Sequence, residues 1–151
     1  MLKRDWSTLN CIQKGTFGEY YAKMVFTMYG SEVYTSEIDD RGIDFVCRFN
    51  NSKFYEVQVK TVSNQNLQFI AEHKFKKSPE FLVALVRLVN EQEPELYVFC
   101  GIDWDSEEGL LKFNSYEGKK SLPSYEIRIS KKRLGTLQQS SMENWYNRII
   151  T

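Results

Sequence analysis

The sequence predicts an α/β domain, with a central mixed sheet of four or five strands flanked by helices. Three observations carry that prediction. Gln13 to Tyr29 repeats apolar residues at helical spacing, Gly42 to Thr61 alternates apolar and polar residues as a hairpin does, and Phe81 to Val89 and Tyr97 to Ile102 are dense apolar runs. At 151 residues with 42% apolar content, the chain can bury one core and is too apolar to stay unfolded. One domain over residues 1–151 is therefore expected.

Each element has its own reason. Phe17, Tyr20, Tyr21, Met24, Val25 and Met28 recur every three or four residues and form an apolar stripe, and Gly30 ends the helix. Beside that stripe lies a flank of Gly15, Ala22 and Phe26, small enough in part to approach a sheet closely, and Glu19 borders it. Glu32 to Ile38 is rich in strand formers and reads as the first strand. Asp39-Asp40-Arg41-Gly42 reads as a turn, where aspartates cap backbone amides. Leu67 to Ala71 and Gly109 to Phe113 read as short strands, and Met142 to Ile150 as a closing helix. Phe81 to Val89 and Tyr97 to Ile102 read as buried strands joined by an acidic turn marked by Pro94.

The hairpin holds the chemistry. Ile43, Phe45, Cys47 and Phe49 alternate with Asp44, Val46 and Arg48, while Tyr55, Val57, Val59 and Thr61 alternate with Glu56, Gln58 and Lys60. With Asn50-Asn51-Ser52 as the loop, Phe49 faces Lys53 and Asp44 faces Gln58. Opposed side chains stand about 4.5–5.5 Å apart at Cβ, so Asp44, Glu56, Gln58 and Lys60 share one patch. A one-residue slip in register would move Asp44 to the other face. Two carboxylates and an amide oxygen are hard ligands suited to Mg²⁺, with Mn²⁺ as a substitute. A lysine beside them orients or deprotonates water, or steadies phosphate charge. An ordinary half-buried hairpin shows the same alternation. Asp39 and Asp40 are alternative ligands by their nearness in sequence.

Other features bound the function. Zero formal net charge argues against a strong non-specific polyanion binder. Cys11, Cys47 and Cys100 form no C-x-x-C pair, which suits reduced thiols in a cytoplasm, with Cys47 packed inside. His73 is the sole histidine and excludes most histidine-based metal sites and triads. Met1 to Trp6 has no apolar leader, and the run from Phe81 to Val86 is too short to span a bilayer, so no membrane association is expected. Lys74, Lys76 and Lys77 around Phe75, and further along Lys119-Lys120 and Lys131, Lys132 and Arg133, are candidate phosphate contacts if they gather on one side.

Lys14-Gly15-Thr16-Phe17-Gly18-Glu19, Gly42-Ile43-Asp44 and Glu56-Val57-Gln58-Val59-Lys60, in that order, resemble the PD-(D/E)XK nuclease superfamily over roughly Gln13 to Gly101. The resemblance implies a restriction-endonuclease-like core. Asp44 would be a metal ligand, Lys60 the catalytic lysine and Glu19 an accessory acid. Ile43 stands where the family has proline, and Gln58 replaces the usual acid, a Q-x-K variant of Mrr-like restriction enzymes and some small homing endonucleases. Glu56 would supply the missing charge. The function implied is Mg²⁺-dependent hydrolysis of double-stranded DNA, of restriction or intron-homing type, by a homodimer or larger assembly. The alternative is a nuclease-fold module that has lost catalysis and binds nucleic acid or a protein.

Overall fold

The computed structural model describes residues 4–38, 41–63, 67–105 and 109–151. The candidate ligands Asp39 and Asp40 lie outside the described residues. The chain begins with a long helix, α1 (Cys11–Met28), followed by strands β1 (Ser31–Tyr34), β2 (Phe45–Phe49), β3 (Phe54–Val62), β4 (Leu67–Ala71), β5 (Phe81–Arg87), β6 (Glu95–Cys100), β7 (Leu111–Asn114) and β8 (Ser124–Arg128). Two helices, α2 (Leu134–Gln138) and α3 (Met142–Ile150), close it.

The strands form two sheets. A five-stranded sheet runs in the order β1-β2-β3-β5-β6, with β3 at its centre. It is mixed, because β3 and β5 are parallel and every other pair is antiparallel. This is the α/β architecture that the sequence predicts. The second sheet, β4-β8-β7, has three antiparallel strands and goes beyond that expectation. Its middle strand alternates Tyr125 and Ile127 with Glu126 and Arg128, so the rule that finds the hairpin also finds β8.

The hairpin forms in the expected register, from Phe45 against Val57 to Arg48 against Phe54. Asn50 and Asn51 take φ of 46° and 59°, a left-handed pair that asparagine tolerates, and the Ser52 N–H closes the turn on the Phe49 carbonyl at 2.8 Å. β1 is shorter than expected because its pairing with β2 runs out at Tyr34 against Val46.

Two cores sit on opposite faces of the large sheet. On one face Tyr55, Val57 and Val59 meet Ala22 and Phe26 of α1 and Trp145 of α3. On the other, Val62, Val83, Leu85, Tyr97 and Phe99 meet Ile70, Ile127 and Leu137. The apolar stripe meets the core along one edge, through Phe17, Tyr21 and Val25, and the contact centres on the small-residue flank beside it. Gly18, Ala22 and Phe26 are buried, whereas Tyr20, Met24 and Met28 are exposed. The cause is close approach: a Cβ on Gly18 would stand 1.8 Å from Thr61 Oγ1 on β3. Small residues decide which side docks. Asn10 starts the helix with a capping box, its side chain accepting from the Gln13 N–H at 2.9 Å while the Gln13 amide oxygen accepts from the Asn10 N–H. Among the described residues no helix is long and apolar enough to cross a membrane.

Candidate active site

Alternation along β3 puts Val57, Val59 and Thr61 on the α1 face and Gln58 and Lys60 on the face of the second sheet, level with Val83 and Leu85 of the parallel neighbour β5. Asp44 lies just before β2. Its N–H donates to the Val57 carbonyl at 2.9 Å, and its Oδ2 accepts from the Val59 N–H at 2.6 Å. The carboxylate is thereby fixed across the gap, against the backbone of the residue between Gln58 and Lys60.

Gln58 is 5% exposed, and its Oε1 finds no hydrogen-bond partner among the described residues. A buried acceptor left unsatisfied costs about 1–3 kcal/mol, so this oxygen is available to a cation or a further donor. Lys60 is half-buried. Burial pushes its ammonium below the ordinary lysine value, the Asp44 carboxylate opposes that shift, and Lys74 adds to it. These three residues, Asp44, Gln58 and Lys60, come together.

The other candidates fare differently. Glu56 is on the same strand face, but its Oε2 is held by Lys76 Nζ at 2.5 Å. Glu19 is half-buried on α1, which packs on the opposite face of β3, and among the described residues no hydrogen bond or ion pair ties it to Asp44, Gln58 or Lys60. Among the described residues no three histidine, cysteine, aspartate or glutamate side chains converge to hold a metal. The donor set present is a carboxylate and a neutral amide oxygen, which fits a hard divalent cation that retains several waters.

Lys74 is brought to the site from a distance in sequence. It ends the short 3-10 turn Glu72–Lys74 that follows β4, and its stem packs on Gly42, passing 3.1–3.3 Å from where a Cβ would stand. Gly42 has φ +74°, so glycine is suited on both counts. The next residue anchors the turn, as Phe75 stacks on Tyr125 with ring centroids 3.6 Å apart and planes 11° apart. The Glu72 N–H also donates to the Pro123 carbonyl at 3.1 Å. Lys77 is exposed nearby in sequence. Lys131, Lys132 and Arg133 form a separate 3-10 turn leading into α2, with the Arg133 guanidinium against Gly109. His73 is exposed, and Cys47 is buried in the first core with its thiol pushed up to about 12 by burial.

No protein-family model and no curated protein matches the sequence. Solved structures do match the fold. One is a Holliday junction resolvase, Hjc, from Archaeoglobus fulgidus, with TM-score 0.54 and 10% identity over 89% of this chain and 96% of that one. The chain shares that protein's fold. A bacterial homing endonuclease, I-Ssp6803I, matches with TM-score 0.51 and 17% identity over 93% of this chain and 91% of its own. In both cases the likeness extends over nearly the whole length of both chains.

Proposed function

We propose that this protein is a metal-dependent endonuclease that hydrolyses phosphodiester bonds in double-stranded DNA, centred on Asp44, Gln58 and Lys60. The observation that carries this reading is the buried Gln58 oxygen, without a hydrogen-bond partner among the described residues, beside a backbone-fixed carboxylate and a half-buried lysine. Two solved nucleases of the same fold, a junction resolvase and a homing endonuclease, support it.

Asp44 and Gln58 would hold Mg²⁺ or Mn²⁺, which supplies Lewis-acid polarisation of the phosphate and charge neutralisation when bound. Lys60 faces the same patch and, with its proton held less tightly than usual, accepts one from the attacking water. The Val59 N–H keeps Asp44 from rotating away, so the patch is preorganised. Glu56, tied to Lys76, stands aside from the pair. One site of this kind cuts one strand, so cutting both calls for a homodimer or a larger assembly.

The test is nicking of supercoiled plasmid and of a randomised-sequence duplex pool in Mg²⁺, Mn²⁺ and EDTA, beside Asp44→Ala, Lys60→Ala, Gln58→Ala and Glu56→Ala. Metal-dependent nicking is expected, abolished by the first two variants and reduced more by Gln58→Ala than by Glu56→Ala. Cleavage at the wild-type rate by all four variants would sink the assignment. No cleavage of either DNA, together with no Mn²⁺ binding by calorimetry, would instead identify a nuclease-fold module without catalysis.

A further inference from the structure

Glu56 lies on the same face of β3 as Gln58 and Lys60, and the fold brings Lys76 to it. Across the parallel pair of β3 and β5, Glu56 stands level with Phe81. The Phe81 ring meets that of Phe75 edge to face, with centroids 5.2 Å apart, and Lys76 is the next residue after Phe75. The Lys76 carbonyl accepts from the Ser78 N–H at 2.9 Å and lies 2.3 Å from where a Cβ on Gly101 would stand, so its backbone is closely confined. The Glu56 N–H donates to the Glu80 carbonyl at 2.9 Å. Both backbones are thus anchored, which leaves the two side chains as the parts free to move.

The ion pair between them is open to solvent. The Lys76 and Glu56 side chains are 50% and 36% exposed, and so exposed a pair is weak. Each partner has a stronger one at a phosphodiesterase site. The ammonium is drawn to the phosphate backbone, and the carboxylate to a divalent cation. The cation's other ligands are within reach. Residues two apart on one strand face are about 6.6 Å apart, which a glutamate side chain can bridge toward Gln58. Asp44 is tied to the Val59 N–H on the far side of Gln58, so the Gln58 amide stands between the two carboxylates along β3. That amide oxygen is buried and without a partner among the described residues.

We propose that Lys76 is a phosphate-binding residue that holds Glu56 until DNA arrives. A backbone phosphate beside the scissile one draws the ammonium away, and the freed Glu56 carboxylate joins Asp44 and Gln58 as a third ligand of the divalent cation. Cation and DNA then strengthen each other's binding by the same factor. This rests on the nuclease reading for its substrate and its cation.

The test measures each ligand without the other, on the full chain as wild type, Lys76→Gln, Glu56→Gln and the double variant. Mn²⁺ is titrated without DNA, with free Mn²⁺ followed by electron paramagnetic resonance. Lys76→Gln is expected to bind Mn²⁺ about fivefold more tightly than the wild type, and the double variant should lose that gain. A labelled duplex is titrated in EDTA over a salt series, followed by anisotropy. Lys76→Gln should weaken binding and lower the salt slope by about one phosphate contact, while Glu56→Gln, which releases Lys76, should tighten it.

Equal Mn²⁺ affinity in the wild type and Lys76→Gln would overturn the proposal. So would a gain that persists in the double variant, since it would then come from the removed charge alone, or duplex binding indifferent to Lys76→Gln. Any of these results beside metal-dependent nicking by the wild type defeats only the Lys76 hold on Glu56. Absence of both Mn²⁺ binding and nicking defeats the nuclease reading and this proposal with it.

Discussion

Lys60 is half-buried between an anion and a cation, with Asp44 raising its affinity for a proton while burial and Lys74 lower it. Removing the Lys74 charge therefore makes Lys60 harder to deprotonate. If Lys60 takes a proton during cleavage, the ascending limb of the pH–rate profile of Lys74→Gln moves to higher pH, and nicking rates measured from pH 6 to 10 read that shift. Superimposable limbs would show that Lys74 does not act on Lys60. The same burial bears on stability. The folded state binds the Lys60 proton less tightly than the unfolded chain does, so this group's contribution becomes more favourable as pH rises toward the ordinary value of 10.5. Lys60→Met is expected to melt higher than the wild type near pH 7, with the gap closing toward pH 10.5. A melting temperature below that of the wild type across the whole range would contradict the depressed proton affinity.

At the scale of elements, the contact between α1 and β3 sets where the sheet can go. Gly18 leaves no room for a side chain, and Thr61 Oγ1 is buried there with no hydrogen-bond partner among the described residues. Gly18→Ala is expected to destabilise the protein by about 1–3 kcal/mol in urea melts, as overpacking does. The cost should be smaller in a Thr61→Ala background, where the 1.8 Å clash disappears. Much of this scale was legible in the sequence. The hairpin register followed from period-two alternation and an Asn-Asn turn, because both are local chemistry. The docking face of α1 was less legible, since hydrophobicity points to Tyr20 and Met24 while steric fit selects Gly18 and Ala22. The position of Lys74 was not legible, because it depends on Phe75 meeting Tyr125, fifty residues away in sequence. β8 carried a readable alternation, but its pairing with β4 is non-local, and no single stretch of sequence encodes it.

At the scale of the whole molecule, the second sheet draws its strands from two separate parts of the chain. β4 comes from the passage between the parallel strands β3 and β5, whereas β7 and β8 follow β6. Contacts between distant segments form late, because the loop between them must close first. Trp104 reports on this sheet, lying 4.9 Å from the Phe75 ring and buried, while Trp6 and Trp145 belong to the other core. In a Trp6→Phe, Trp145→Phe background, the Trp104 signal in stopped-flow refolding should rise with the same time constant as nicking activity measured by double-jump assay. Activity that returns well before that signal would show that the second sheet is dispensable for the site. Synthesis on the ribosome runs in the same direction. A nascent chain that has emerged only as far as β6 already displays Asp44, Gln58 and Lys60, but it lacks the strand that seats Lys74. The last third of the polypeptide thus decides when the Lys74 turn can be seated, because Tyr125 of β8 must leave the ribosome before Phe75 has its stacking partner.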